Sequence, residues 1–249
     1  MSPLLIQQTP LLIFLQERVL PPLIHRKASS QEQLRIWSIG CQAGDEASTL
    51  ALLVRSLLPA GWQERQITIF ATDSDQAALT RARDYRYPVQ LLPQLPETVL
   101  PFLQAGPSSY LLPASLRRQI LFGHHLLLSQ MPFPHLDLIL CHDSCADYTP
   151  NQQRFLFNRL AYVLSAEGYL WLASPAVSDP AAAYYQRLEG AWPLYQRTST
   201  PVDVLSLEWG RSKGRPDASL LAQNPVRWEM PLDPFACSAL GGAIRRRHG

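Results

Sequence analysis

The sequence predicts an α/β protein in which a mostly parallel central sheet is covered by helices. The main observation is that short apolar segments, at 34–39, 66–72, 136–141 and 169–174, alternate with longer stretches of helical periodicity. Parallel strands need crossovers of a dozen or more residues, and a sheet covered on both faces has nearly continuous apolar strands. The chain has 249 residues, 47% hydrophobic and 17% charged, which allows a sizeable core and excludes wholesale disorder.

The first elements of this alternation follow from local pattern. The segment LRIWSI is apolar and β-prone, and the stretch after Glu46 has apolar residues at helical spacing until Pro59 and Gly61 end it. The predicted elements are a helical segment at 1–33 broken at Pro21 and Pro22, a strand at 34–39, a helix at 46–58, a strand at 66–72 and a helix at 75–84.

Residues 85–122 are less regular, because six prolines between Pro88 and Pro113 forbid a long helix or strand there. A short helix near 95–104 is predicted, together with a hairpin that pairs Tyr110–Leu112 with Ile120–Phe122. This region is therefore predicted to be a small inserted subdomain at about 86–122.

The second half of the chain restores the alternation. LDLILC predicts a buried strand, and the helix at 149–164 has Thr149 as its N-cap and Pro150 in its first turn. Gly168 precedes the next strand. The main domain is thus expected at 34–200, and the remaining residues, 201–249, are expected to form a strand at 202–209 and then a flexible tail.

Charge and composition exclude several functions. Net charge is +2, with 22 basic and 20 acidic residues, which predicts no nucleic-acid partner. No apolar run reaches the length of about 18 residues that a membrane span needs, and the N-terminus lacks the basic region of a signal peptide. We therefore expect a cytoplasmic protein without membrane insertion. Its four cysteines have no metal-ligand spacing, so reduced thiols and no metal are expected.

The predicted site lies where the parallel strands end, since ligands of such sheets bind beyond their carboxyl ends. Gly40 and Gly44 follow the first strand and allow a tight turn, while Gln42 and Asp45 break the dinucleotide fingerprint. Asp73 ends the second strand, where a carboxylate can accept both hydroxyls of a ribose. This pattern favours a nucleoside-type cofactor, S-adenosylmethionine rather than NAD, over an Asp that only caps a helix.

The order of these residues resembles the CheR-type chemotaxis receptor methyltransferases over about residues 10–200. That family's first motif is R-I-W-S-A-G-C-S-T-G-E-E-P-Y-S-L-A and its second is A-T-D-I-D-x-x-x-L-x-x-A-R-x-G-x-Y. This chain keeps Arg35, Ile36, Trp37, Ser38, Gly40, Cys41, Gly44, Glu46, Leu50 and Ala51 of the first, and Ala71, Thr72, Asp73, Asp75, Leu79, Ala82, Arg83 and Tyr85 of the second.

The resemblance implies a class I methyltransferase (Rossmann-like) sandwich that uses S-adenosylmethionine to methylate glutamate carboxylates of a signalling receptor. A chemotaxis-type receptor or another signalling protein would then be the partner. Glu46 resembles an acidic ligand near the cofactor's amino-acid end, although a first-turn carboxylate also favours the helix dipole. The cofactor-binding residues implied are Gly40, Gly44, Glu46, Asp73, Leu126, Leu127, Asp143 and Ser144.

The chain departs from the family mainly on the substrate side of the site. Gln16 stands where the family has an Arg, Leu126 (with His125 adjacent) where it has an Asn, and Asp147 (before Tyr148) where it has a Tyr; Asp143 likewise replaces an Asn. No catalytic residue is therefore assigned. The alternative function is a catalytically degenerate domain that binds the cofactor or scaffolds a signalling complex. A weaker third reading is methylation of a small amine or cationic molecule.

Overall fold

A computed structural model describes residues 9–59, 62, 66–106, 109–130, 133–141, 148–173, 183–188, 190 and 193–202. The strands are β1 (Leu34–Ile39), β2 (Ile67–Asp73), β3 (Arg86–Pro88), β4 (Gln104–Ala105), β5 (Ser109–Leu111), β6 (Ile120–His124), β7 (Leu136–Cys141), β8 (Leu164–Leu172), β9 (Tyr185–Arg187) and β10 (Leu194–Arg197). The α-helices are α1 (Thr9–Phe14), α2 (Leu20–Ser30), α3 (Asp45–Leu57), α4 (Gln76–Ala82), α5 (Ala114–Arg117) and α6 (Pro150–Val163).

Seven strands form the main sheet in the order β6-β2-β1-β7-β8-β10-β9. The five from β6 to β8 are parallel, whereas β10 runs antiparallel to both β8 and β9. Every residue of the central strand β7 is buried, as expected for a strand covered on both faces. The prediction of an α/β fold with a mostly parallel sheet is confirmed.

Alternate residues of each central strand pack on opposite faces of the sheet. In β1, Ile36 joins the core formed with the N-terminal helices and α3, whereas Trp37 joins the core formed with α6. Strand β7 divides in the same way, with Leu138 on the first face and Ile139 on the second. Burial of both faces explains why these strands are nearly all apolar in sequence.

The N-terminal helical segment changes geometry at a different place from the one predicted. Helix α1 continues into a π-helical turn at Leu15–Val19, and α2 then begins at Leu20. The prediction of a break at Pro21 and Pro22 is wrong, because both prolines lie in the first turn of α2, directly after the π-helical turn.

A buried charge pair fastens α2 to the sheet. The Lys27 Nζ atom lies 3.0 Å from Asp137 Oδ1, and the Arg35 backbone N–H donates to Asp137 Oδ2 at 3.0 Å. Asp137 is fully buried and Lys27 is only 7% exposed. Glu32 also pairs with Lys27, at 3.0 Å. The N-terminal segment is therefore held to the sheet by paired charges as well as by apolar contact.

The region rich in proline forms a separate three-stranded sheet in the order β3-β5-β4. The predicted hairpin is wrong: β5 pairs with β3 and β4, whereas β6 pairs in parallel with β2 as the edge of the main sheet. The short turn of α5 separates β5 from β6, and the buried side chains of Ile120 and Phe122 belong to the main core. The predicted short helix is a 3₁₀ turn at Glu97–Phe102.

Helix α6 and strand β8 are of the types that the sequence predicts. Helix α6 begins with a capping box between Thr149 and Gln152, as its N-cap sequence predicts. Strand β8 begins at Leu164, earlier than expected. Nearly all of the predicted strand at 202–209, and the tail after it, lie outside the described residues. Within the described part of the chain, no helix is long and apolar enough to cross a membrane.

Candidate cofactor site

The carboxyl ends of β1, β2 and β6 lie side by side at one edge of the sheet. The turn after β1 is drawn against β2, because the backbone N–H groups of Gly40 and Cys41 both donate to the Thr72 carbonyl oxygen, at 2.8 and 3.0 Å. Gly40 has a φ angle of 74°, in the left-handed region that glycine adopts without strain. The predicted Gly40–Gly44 turn and Asp73 are thus brought together.

Gly44 is required by the packing beneath the site. It is the N-cap of α3 with φ +83°, and a Cβ atom there would lie 2.8 Å from Phe122 Cζ and 2.9 Å from Ala82 Cβ. Both distances are shorter than real Cβ contacts allow. The glycine therefore permits close approach of α3 to β6 and α4, in addition to the left-handed turn.

Asp73 anchors the loops on both sides of it. Its Oδ2 atom accepts a hydrogen bond from the Gln42 backbone N–H at 2.8 Å, and its Oδ1 atom accepts one from the Asp75 N–H at 2.9 Å. Each carboxylate oxygen has two acceptor sites, so one at each oxygen remains beyond these bonds. The capping role belongs to Asp75, whose side chain accepts from the Ala77 N–H at the start of α4.

Glu46 lies in the first turn of α3, directly after the Gly40–Gly44 turn, with 3% of its surface exposed. Its Oε1 atom accepts a hydrogen bond from the Ser38 hydroxyl at 2.6 Å, and its place in the first turn of α3 favours a negative charge. Burial, with the carboxylates of Asp73 and Glu46, raises the pKa of the Cys41 thiol well above its usual range. This thiol therefore stays protonated at neutral pH.

The segment after β6 separates two residues that the sequence left as alternatives. The His125 N–H donates to the Asp73 carbonyl oxygen at 3.1 Å, and its buried ring meets Trp37 edge-on at 5.2 Å between centroids. Leu126 is 37% exposed, and Leu127 is buried. His125 thus faces the core beside Trp37, while Leu126 is exposed.

The remaining predicted positions are divided between the described and undescribed parts of the chain. Asp143, Ser144 and Asp147 lie outside the described residues. Gln16, which stands where the resembled family has an Arg, donates from Nε2 to the Thr98 hydroxyl at 2.9 Å. Gln16 therefore joins the N-terminal segment to the 3₁₀ turn of the small subdomain. The described residues include no group of His, Cys, Asp and Glu suited to a metal ion.

Sequence reasoning did not single out Arg159, which contacts the segment after β6. It lies on α6, 5% exposed, and its guanidinium donates to the backbone carbonyls of Leu127, Leu128 and Gln130. The signal available in the sequence was a charged residue placed between the apolar residues Phe157 and Leu160 of an amphipathic helix.

Comparison with known proteins identifies the family. The model for the CheR methyltransferase SAM-binding domain matches residues 6–181. The chain belongs to the CheR family. S-adenosylmethionine is accordingly the cofactor of this CheR domain, which confirms the sequence prediction.

Individual relatives are distant and longer than this chain. The CheR domain is 31% identical over 159 residues to an uncharacterized 104.1 kDa protein of Rhodobacter capsulatus, covering 64% of this chain and 17% of that protein. It is 29% identical over 170 residues to a chemotaxis protein methyltransferase of Listeria monocytogenes, covering 67% of this chain and 62% of that enzyme. The chain thus spans less than two thirds of either relative.

Among solved structures, a glycopeptide N-methyltransferase, MtfA, complexed with sinefungin is similar at 12% identity, covering 61% of this chain and 48% of that one. Its TM-score is 0.36, too low for the likeness to bear on function.

Proposed function

We propose that this CheR domain transfers a methyl group from S-adenosylmethionine to glutamate carboxylates of a chemotaxis-type receptor or another signalling protein, in the cytoplasm. The observation that supports this proposal most directly is the Asp73 carboxylate. It is fixed by the backbone N–H groups of Gln42 and Asp75, at 2.8 and 2.9 Å, and keeps acceptor capacity at the carboxyl end of β2.

The residues around Asp73 fit an S-adenosyl group. Asp73 would accept the ribose hydroxyls, the Gly40–Gly44 turn would let the cofactor approach the backbone, and Glu46 would lie toward the amino-acid end. Leu126 is exposed one residue after His125, which bonds the Asp73 carbonyl, and it would contact the adenine with the buried Leu127 behind it. Asp143 and Ser144 are proposed as further contacts from the segment after β7.

Methyl transfer to a carboxylate requires that the carboxylate be correctly oriented, and it requires little acid–base catalysis. When bound, S-adenosylmethionine supplies a sulfonium methyl group that a carboxylate oxygen accepts by displacing the thioether sulfur. A glutamate is already ionised at neutral pH, so the protein has only to hold it in line. The raised pKa of the nearby Cys41 thiol keeps that sulfur protonated, so it does not compete as a nucleophile.

A noncatalytic module is the second candidate, and the position of Gln16 favours it. Gln16 is uncharged and bonded to Thr98, where the family pattern has an Arg that would orient a carboxylate. In this case the domain would bind S-adenosylmethionine and a signalling partner without transferring the methyl group.

Titration calorimetry with S-adenosylmethionine and S-adenosylhomocysteine tests the cofactor site. Asp73→Asn should abolish micromolar binding, because the new amide offers donors where the hydroxyls need acceptors. Asp75→Asn is the matched control: it removes the same charge two residues away, and Asn also serves as an N-cap. Equal affinity in wild type and Asp73→Asn would contradict the proposed site.

Methyl transfer is tested separately. Wild type and Gln16→Arg are incubated with S-adenosylmethionine labelled at the methyl group and with receptor signalling fragments that carry glutamate or, as control, glutamine. Label on the glutamate fragment that is released by mild base, as a methyl ester is, supports the enzyme. Cofactor binding without transfer in wild type, with transfer gained in Gln16→Arg, favours the noncatalytic module.

A further inference from the structure

The segment Leu126–Gln130, here called the β6 loop, is held by the side chain of Arg159. Arg159 Nη1 donates to the carbonyl oxygens of Leu128 at 2.7 Å and Leu127 at 3.4 Å, and Nη2 donates to that of Gln130. These are charge-assisted bonds to three carbonyls of one short loop. The loop's conformation therefore depends on a residue that lies more than 28 positions away in sequence.

The guanidinium suits this task because its donors form a rigid planar fork. A lysine ammonium at the same place would be a single point of charge on a flexible stem and could not reproduce the two-nitrogen arrangement. Arg159 is 95% buried, and its guanidinium carbon lies 5.2 Å from the Phe155 ring centroid. Burial lowers the pKa of Arg159, as expected for a cation held away from water.

The β6 loop is fixed at its other end to the cofactor side of the sheet. His125, immediately before it, donates its N–H to the Asp73 carbonyl oxygen at 3.1 Å. Within the loop, the Leu126 N–H donates to Gln130 Oε1 at 2.7 Å, and the N–H groups of Ser129 and Gln130 return to the Leu126 carbonyl oxygen. Leu126 is thus the exposed residue between the Asp73 anchor and the Arg159 anchor.

We propose that Arg159 is a positioning residue for cofactor binding: by holding the carbonyls of the β6 loop, it sets Leu126 and Leu127 against the adenine of S-adenosylmethionine. This inference rests on the proposed cofactor site, since it assigns the loop to the adenine end. Arg159 acts through the loop and does not itself touch the cofactor.

Arg197 provides a matched control. It lies on β10, near the opposite edge of the main sheet from β6. Arg197 is also buried, and its guanidinium also donates to backbone carbonyls, those of Ala161 at 2.8 Å, Thr200 at 2.6 Å, and Thr198. Arg159→Lys and Arg197→Lys therefore remove the same kind of anchor. A purely structural role predicts the same behaviour for both variants.

The experiment measures S-adenosylhomocysteine affinity by calorimetry, well below the melting temperature of each variant, together with hydrogen exchange of the Ser129 and Gln130 amides without ligand. Arg159→Lys should bind about tenfold more weakly, a change of about 1.4 kcal/mol, and exchange these amides faster. Arg197→Lys should lose thermal stability but keep wild-type affinity and loop exchange. Equal affinity in Arg159→Lys and wild type, or equal weakening in both variants, overturns the inference.

A failure of the proposed cofactor site can be distinguished from a failure of this inference. Failure of the wild type to bind S-adenosylhomocysteine contradicts the proposed cofactor site, whatever the variants do. If Arg159→Lys does not fold, Gln130→Ala tests the link between the loop and the ligand without entering the core, because it removes the side-chain acceptor of the Leu126 N–H. It should also weaken ligand binding and speed exchange of the Leu126 amide; unchanged affinity with faster exchange would refute the link between loop and ligand.

Discussion

Substituting alanine at Gly44 should destabilise the fold through two separate causes. The first is the backbone, since φ +83° places an alanine in the left-handed region at a cost of about 1–2 kcal/mol. The second is crowding, since the new Cβ would lie 2.8 Å from Phe122 Cζ and 2.9 Å from Ala82 Cβ. Overpacking of this kind costs about 1–3 kcal/mol. The free energy of unfolding should therefore fall by about 2–5 kcal/mol, a large part of a typical total of about 5–15 kcal/mol.

Urea denaturation of a double-mutant cycle measures the part of the crowding that comes from Phe122. Phe122→Leu removes the ring atoms that the Cβ would meet, but leaves the φ angle unchanged. Gly44→Ala should therefore cost about 1 kcal/mol less in the Phe122→Leu background than in the wild type. A loss below about 1 kcal/mol in the wild-type background, or an equal loss in both backgrounds, would refute the close approach of α3 to β6.

Three further predictions concern other parts of the molecule. Asp137→Ala should lower the free energy of unfolding by about 3 kcal/mol, the low end for a broken buried pair, because the Lys27 ammonium keeps the largely exposed Glu32 carboxylate as a partner; a loss below about 1 kcal/mol in denaturant titration would contradict the anchoring role. The raised pKa of Cys41 means that the folded state keeps the thiol proton which the unfolded chain releases near pH 9.0, so stability falls as pH rises above that value. Cys41→Ala should remove up to about 1.4 kcal/mol per pH unit of that fall between pH 9 and the raised pKa, and an unchanged slope in denaturation midpoints would refute the burial of the thiol. Thr149→Ala should cost about 1 kcal/mol through loss of the capping box with Gln152 and leave S-adenosylhomocysteine affinity unchanged, as thermal melts and calorimetry on the same sample would show.

The strands and helices that could be predicted are those with a strong local signal. Strands β1, β2 and β7 are short runs of nearly continuous apolar residues. The start of α6 is marked in the sequence by the N-cap Thr149 and by Pro150 in the first turn. In each case neighbouring residues alone favour the structure that forms. The Gly40–Gly44 turn and Asp73 were found in the same way, because a glycine turn and a terminal carboxylate follow recognisable strands.

The partner of β6 was mispredicted because pairing is decided between distant segments. Tyr110–Leu112 and Ile120–Phe122 are close enough in sequence to suggest a hairpin, yet Ile120 and Phe122 are buried in the main core, where β6 pairs with β2. The change of helix geometry at Leu15–Val19 was missed for a similar reason. That turn contains Leu15 and Val19, whose burial depends on the tertiary core and is not visible in local propensity.

The roles of some individual side chains could likewise be assigned only from the structure. From the sequence, Asp73 was open to two interpretations, a ribose ligand or a helix cap; the structure assigns the cap to Asp75 and the loop anchors to Asp73. Likewise, the resemblance to the family left His125 and Leu126 as alternatives for the position at which the family has an Asn. Packing of the His125 ring against Trp37 turns it inward and leaves Leu126 exposed.

By itself, the sequence determined the α/β class, the membership in the CheR family and the use of S-adenosylmethionine, because these depend on periodicity and on contiguous motifs. The tertiary structure decided the β6-β2 pairing, the burial of Glu46 against Ser38 and the attachment of the β6 loop to Arg159. Each of the last three joins groups that are separated along the chain. Their energies come from burial and hydrogen-bond geometry, which exist only once the segments have been brought together.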